Sequence, residues 1–118
     1  PHAVFEKDVE YSRAPFGIVG LETAIGLAVT ELVEMGYLNL AEMIEKFSTN
    51  PRRILRLSEI RIEAGERANF TFFHPSQEWT VDASQLKSRS KNTPFHGMTL
   101  RGKPRGIFNK HQLVWVAQ

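Results

Sequence analysis

One amphipathic segment decides how the first half of this chain folds: residues 21–35 run LETAIGLAVTELVEM. Apolar residues recur in it at helical spacing, and three glutamates fall outside the apolar stripe. The stripe consists of Leu21, Ala24, Ile25, Ala28, Leu32 and Met35, and the glutamates are Glu22, Glu31 and Glu34. This spacing predicts a helix that ends at Gly36, because glycine readily adopts the left-handed conformation of a C-terminal cap.

Two shorter helices are predicted to follow. Asn39 and Glu42 have the spacing of a capping box, which predicts a helix from Leu40 to about Phe47. Asn50 followed by Pro51 predicts a third helix from Pro51 to about Leu57, capped by Asn50, because proline is well tolerated at the first helical position.

The second half of the chain has the composition of short strands. Aromatic and β-branched residues alternate there with Gly, Pro, Asn and Ser. The predicted strands are 59–62, 69–73, 79–81, 98–100, 106–108 and 113–116, with a turn at 63–66. Residues 1–20 show no period and predict a long loop, which in a compact domain is often functional. The sequence therefore predicts helices first and a small β section after them.

Length and composition bound the classes of function. The 118 residues are about one domain long, with 42% hydrophobic and 24% charged residues. There is no cysteine, so disulfides and a cysteine nucleophile are excluded, and a reducing compartment is favoured. Basic residues number 15 against 13 acidic and are dispersed, which argues against a nucleic-acid partner. The glutamates of 21–35 argue against a membrane span. Because residue 1 is proline, we expect a processed chain or a piece of a longer one.

The residue types alone indicate no catalytic machinery. The four histidines, His2, His74, His96 and His111, lack the spacing of metal ligands, and the last three are interpreted as solvated surface residues. Glu6, Asp8 and Glu10 are interpreted as a solvated charge run rather than an acid–base pair. The two glycines at 17 and 20 indicate a turn into a helix, since no phosphate-binding motif surrounds them.

Four sequence blocks in order carry a family resemblance. They are Pro1-His2, APFGIVGLE at 14–22, STNP at 48–51 with Arg53-Ile-Leu55, and SRSKNTPF at 88–95 with Gly97. In content and spacing they resemble the C-terminal part of bacterial-type (class I) dihydroorotases, members of the amidohydrolase superfamily. The chain departs from that pattern at Ala68-Asn69-Phe70, where the family has Ala-Asp-Leu, and near 109–111, where the family has a glycine-containing hairpin turn.

The resemblance implies an α/β fold that is part of something larger. Residues 1–57 would be the last loop and the closing helices of a (β/α)8 barrel. Residues 58–118 would be the C-terminal part of a β-rich composite domain. Pro1 would then follow the last barrel strand, at the end of the barrel where such enzymes keep their active sites.

The resemblance also implies an activity and a set of site residues. Dihydroorotases are zinc-dependent cyclic amidohydrolases that interconvert N-carbamoyl-L-aspartate and (S)-dihydroorotate in de novo pyrimidine biosynthesis. The zinc ligands and the catalytic aspartate would lie upstream of this segment, so the segment alone should be inactive. His2, Phe16 and Gly17 would bind the substrate carboxylate through an imidazole and backbone N–H groups. The alternatives are a disordered terminal histidine for His2 and a core aromatic for Phe16, where the core position and the substrate role are compatible.

Other functions stay open at this point. One is a non-catalytic dihydroorotase-like subunit that assembles with aspartate transcarbamoylase, and another is an independent basic binding domain. For the enzyme, the implied partners are the small-molecule substrate and the rest of the dihydroorotase chain, in the cytoplasm. Association with aspartate transcarbamoylase or into homo-oligomers stays open, and neither nucleic acid nor membrane is expected.

Overall fold

The computed structural model describes residues 2–116 and has four helices followed by one sheet. The helices are α1 (Val4–Lys7), α2 (Ala24–Ala28), α3 (Leu40–Phe47) and α4 (Thr49–Ile54), and α2 continues directly into a π-helical turn (Val29–Val33). Residues 2–20 are largely irregular, as predicted, except that Val4–Lys7 form one helical turn that the lack of a period did not indicate.

The helix predicted over 21–35 is shorter and less regular than expected. It begins at Ala24, and from Val29 the backbone changes to π-type hydrogen bonding, with the N–H of Glu34 donating to the carbonyl of Val29 at 2.9 Å. The extra residue in this turn rotates the following side chains relative to the predicted stripe. Val29, at the start of this turn, is buried, whereas Leu21 and Met35 of the predicted stripe are 90% and 64% exposed. Gly36 ends the segment with a φ of +76°, as predicted.

The next two helices differ in how well their starts were predicted. α3 has the predicted bounds and capping box: Glu42 N–H donates to Asn39 Oδ1 at 3.0 Å, and Asn39 N–H donates to Glu42 Oε2 at 2.7 Å. The prediction for α4 is wrong at both ends, because the helix begins at Thr49 and ends at Ile54. Asn50 is inside the first turn rather than at the cap, and its Oδ1 accepts from Arg53 Nη2 at 3.0 Å.

Three antiparallel strands in the order β1-β2-β3 form the sheet. They are β1 (Phe70–Thr80), β2 (Thr99–Asn109) and β3 (Gln112–Trp115). Two pairs of predicted short strands are thus single long strands, while the strand predicted over 59–62 is absent. The turn predicted at 63–66 is present, with the N–H of Glu66 donating to the carbonyl of Glu63.

The pairing of β1 with β2 is interrupted between His74 and Glu78. His74 pairs with Lys103 and Glu78 with Arg101, so three residues of β1, 75–77, lie opposite Gly102 alone. Pro75 has no N–H to give to the ladder, which favours an irregularity there. Pairing resumes beyond the irregularity, where residues 78–80 again have partners on β2.

The helices pack on the sheet through a small apolar cluster. Ala28, Val29 and Met43 are buried, with Ile25, Val33, Leu40 and Phe73 partly buried around them. Close approach depends on Gly26 and Gly102: a Cβ on Gly26 would lie 3.1 Å from Leu100 Cδ1, and one on Gly102 would lie 2.7 Å from Val29 Cγ2. This packing fixes the start of α2, and with it Glu22, against the loop that precedes β2.

A charged cluster adds to this attachment. Arg101 on β2 lies 2.8 Å from Glu34 Oε2 and 3.1 Å from Glu78 Oε1, so it joins the end of the π turn to β1. Its pKa is raised, chiefly by the hydrogen bonds that it donates to Glu78 and then by the charge of Glu34. No helix among residues 2–116 is long and apolar enough to cross a membrane.

Candidate functional site

An open groove of about 730 Å³ lies between residues 16–22 and the loop that precedes β2. His2 and Lys7 also border it. The full lining consists of His2, Lys7, residues 16–22, Lys87, Ser88, Ser90 and Asn92. His2, Phe16 and Gly17, the residues assigned to the substrate carboxylate from the sequence, therefore border the same groove although Phe16 is 14 residues from His2 in the chain.

His2 lies two residues before the start of α1 and is about half exposed. Its Nδ1 is 3.8 Å from Glu6 Oε2, and Glu6 also accepts a hydrogen bond from the N–H of Ala3. The single turn of α1 thus holds a carboxylate beside the imidazole. Pro1, the other half of this block, is outside the described residues.

The backbone at Gly17 has a conformation that favours glycine. Its φ is +101°, and a Cβ at this position would meet no atom within 4 Å. Glycine is needed here for the backbone dihedral and for access, not because a neighbour crowds the site. Phe16 is 94% exposed, so its side chain is not part of the core formed by residues 2–116.

Two side chains hold the carbonyl groups of this loop. Lys7 Nζ donates to the carbonyl oxygens of Pro15 and Gly17, the latter at 2.8 Å. Asn92 Nδ2 donates to the same Gly17 oxygen at 3.1 Å. Within residues 2–116, the amides of Phe16 and Gly17 donate to no protein acceptor. The loop therefore has its carbonyls bound and these N–H groups available.

The opposite wall is fixed by Glu22. Its Oε2 accepts from the N–H of Lys87 at 2.9 Å and its Oε1 from the N–H of Ser88 at 3.0 Å. Both oxygens are thus occupied by backbone donors, so the structural use of Glu22 is to hold the loop that carries Asn92. Glu22 and Asn92 belong to two of the quoted motif blocks but had no role assigned from the sequence, and no sequence signal singled out Lys7.

The chemistry at the groove is suited to binding an anion. Lys7, Lys87 and His2 contribute cationic or protonatable groups, against one carboxylate on the lining, that of Glu22. Backbone N–H groups beside cationic side chains bind carboxylates well. The other acidic residues of the first loop, Glu6, Asp8 and Glu10, are exposed, in agreement with the interpretation as a solvated charge run.

The remaining histidines lie away from the groove. His74, His96 and His111 are exposed, as predicted for surface residues. His96 has a local structural contact that the sequence did not indicate, since its Nδ1 accepts from the N–H of Ala83 at 3.1 Å. No group of three or more His, Cys, Asp or Glu side chains able to hold a metal ion is present in the described part of the chain.

Comparison with known proteins identifies what this segment resembles. No family model matches the chain. A dihydroorotase from Chlorobaculum tepidum is 47% identical over 114 residues, which are 97% of this chain and 26% of that protein. Dihydroorotases from Solibacter usitatus and Clostridioides difficile are 44% and 43% identical over 100% and 99% of this chain, each match covering 27% of the relative.

A solved structure shares the fold. It is the L-hydantoinase (dihydropyrimidinase) from Arthrobacter aurescens, with a TM-score of 0.77 and 27% identity over 88% of this chain and 24% of that one. The chain thus spans about a quarter of the length of the relatives that it matches. Its α/β architecture is that of a segment from an amidohydrolase. The resemblance found in the motif blocks is confirmed: along nearly its whole length, this chain is related to a segment of dihydroorotases.

Proposed function

We propose that this chain is the C-terminal share of a zinc-dependent dihydroorotase and that it supplies the loop that holds the substrate carboxylate. Residues 1–57 are then the last loop and closing helices of the barrel, and residues 58–118 the C-terminal part of the β-rich composite domain. The reaction is the interconversion of N-carbamoyl-L-aspartate and (S)-dihydroorotate. In this reaction His2 and the backbone of Phe16 and Gly17 bind and orient the carboxylate.

The observation that carries the proposal is the shared groove. An imidazole and two available backbone N–H groups border one open space. A carboxylate there would meet donors from separate directions, which fixes its orientation as well as its position. Correct placement of the substrate carboxylate would in turn place the ring amide at the reacting centre.

The described residues do not fit a zinc site, since no cluster of three ligating side chains occurs within 2–116. The metal ligands of the proposed enzyme therefore belong to parts of the protein outside this segment. We assign no chemical step to the residues of this segment beyond binding and orienting the substrate. The segment alone is accordingly expected to lack activity.

The shape and surface of the chain support a place in a larger fold. Its radius of gyration is 16.5 Å, whereas a compact domain of this length would have about 13.5 Å. Large apolar side chains are more than half exposed on several elements, including Phe16, Leu21, Ile54, Ile62 and Trp115. Large apolar side chains exposed in such number are typical of a surface that is covered by other protein.

The test is steady-state kinetics of the full-length protein that contains this segment. His2→Ala should raise KM for dihydroorotate and also lower kcat, with a combined loss in kcat/KM of about 100-fold, because small misplacements of a substrate are costly. His74→Ala is the matched control, since His74 is exposed on β1 and does not line the groove.

Three outcomes would count against the proposal. Normal kinetics in His2→Ala would remove His2 from the site. Substantial turnover by residues 1–118 alone would contradict the assignment of the metal centre to the rest of the protein. A full-length protein with no turnover would instead favour the non-catalytic subunit that assembles with aspartate transcarbamoylase.

A further inference from the structure

The contacts of Lys7 fix the backbone on both sides of the Phe16–Gly17 peptide. Its ammonium donates to the carbonyls of Pro15 and Gly17. In a trans peptide the N–H of the next residue points opposite to the carbonyl. Holding these two carbonyls therefore sets the direction of the N–H groups of Phe16 and Ile18, which point away from the ammonium. The Phe16–Gly17 peptide lies between these two held units.

Asn92 completes the restraint from the opposite wall of the groove. Its side-chain amide donates to Gly17 O at 3.1 Å, and its own carbonyl accepts from the N–H of Val19 at 2.8 Å. A carbonyl oxygen has two lone pairs, so Lys7 and Asn92 together saturate Gly17 O. The two residues lie 10 and 75 positions from Gly17 in the chain, so the loop is held by distant segments.

Glu22 connects this restraint to the packed part of the fold. By accepting from the amides of Lys87 and Ser88, it fixes the segment that leads to Asn92. Glu22 itself directly precedes the buried Thr23 and the start of α2. Through Glu22, the positions of Asn92 and Gly17 are fixed relative to the packed core.

We propose that Lys7 and Asn92 are positioning residues: by holding the carbonyls of Pro15 and Gly17, on either side of the Phe16–Gly17 peptide, they restrict the backbone whose N–H groups are assigned to the substrate carboxylate. The inference rests on the proposed function and adds to it two residues that act through the loop, not through contact with the substrate. A flexible glycine-containing loop would otherwise lose conformational entropy each time it bound substrate.

The test compares two substrates in the full-length protein. Lys7→Met removes the ammonium and keeps the apolar stem, and Asn92→Asp removes the donor with little change in size. Each should lower kcat/KM for dihydroorotate by about 10- to 100-fold. The loss should be several-fold smaller for the primary carboxamide of dihydroorotate, which lacks the carboxylate. Equal losses on both substrates would overturn the proposal, since a purely structural role predicts them.

Two further variants sharpen the kinetic comparison. Lys7→Arg keeps donors that can reach two carbonyls, so it should recover most of the activity on dihydroorotate. Failure of this rescue, with activity no better than that of Lys7→Met, would count against the carbonyl contacts. Lys46→Met is the matched control, because Lys46 is exposed on α3 and does not border the groove. Both substrates should be turned over normally by that variant.

A second readout separates this inference from the proposed function. If Lys7 and Asn92 hold the loop, trypsin should cleave after the exposed Arg13 several-fold faster in Lys7→Met and Asn92→Asp than in the wild type. An unchanged cleavage rate would overturn the inference whatever the kinetics show. If the wild type had no turnover at all, the proposed function would be wrong, while faster cleavage in both variants would still support the restraint on the loop.

Discussion

Gly102 offers a direct test of how the sheet is fixed to the helices. It lies opposite the interruption in β1, has a φ of +87°, and a Cβ there would be 2.7 Å from Val29 Cγ2 and 2.9 Å from Val29 Cβ. Val29 is 1% exposed and β-branched, so it has little freedom to move away. We predict that Gly102→Ala destabilises the fold through both the backbone and this contact.

The magnitude follows from adding the two effects. A non-glycine residue in the left-handed region costs about 1–2 kcal/mol, and an extra carbon forced into a packed core costs about 1–3 kcal/mol. The expected fall in the free energy of unfolding is therefore about 2–5 kcal/mol. Gly36→Ala is the matched control, since Gly36 has a φ of +76° but no atom within 4 Å of its Cβ position. It should lose only about 1–2 kcal/mol.

Urea denaturation of the chain, followed by tryptophan fluorescence, measures both variants. The change in unfolded-state entropy is the same for the two glycine-to-alanine substitutions, so it cancels in their difference. That difference isolates the contact with Val29. If the two variants were destabilised equally, the packing of Gly102 on Val29 would have no energetic weight and the reasoning would be refuted. In a double variant with Val29→Ala, the losses should be less than additive.

Two other predictions concern the β section. His111→Gly should raise the free energy of unfolding by about 0.5–1 kcal/mol. The reason is that Lys110 and His111 form a two-residue hairpin turn with φ of +48° and +63°, where glycine is favoured. The control Gln112→Gly, in β3, should instead lower the free energy of unfolding, and a fall in both variants would contradict the prediction. The pKa of Asp82 is lowered, first by the hydrogen bond from the Ser84 hydroxyl and then by that from the Ser84 N–H. The ionised carboxylate is therefore the form that stabilises the fold, fully above the usual value of 3.8 and progressively less as pH falls through the lowered value. Urea midpoints of wild type and Asp82→Asn should thus differ at neutral pH and converge in acid, and a difference independent of pH would contradict the assignment.

The parts of the fold that were predictable depend on contacts between near neighbours. The capping box of α3 involves residues three apart, so its hydrogen bonds follow from the local sequence alone. The left-handed Gly36 and the turn at 63–66 are likewise local. The predicted start of α4 was wrong because Ser48 and Asn50 are both residue types found at N-caps, and local preference does not distinguish them.

The strands show why breaks are harder to predict than elements. The predicted breaks at 74–78 and 101–105 coincide with irregularities in the ladder, yet β1 and β2 continue across them. Pairing on either side keeps the two strands together, because the hydrogen bonds of the regular ladder offset those lost in one irregular stretch. Residues 59–62 have a strand-like composition but pair with no strand of the described chain, and they form no regular secondary structure.

The sequence by itself determined the relationship to dihydroorotases, the helices-then-sheet order, and His2, Phe16 and Gly17 as candidates, because motif blocks and caps are contained in short stretches. Only the tertiary structure decided that Val29 rather than Leu32 is buried, and that Lys7, Glu22 and Asn92 surround the same groove. The physical reason is distance along the chain: Asn92 meets Gly17 across 75 residues and Glu22 meets Ser88 across 66. Contacts of that range exist only once α2 is packed against β2, and no local pattern encodes them.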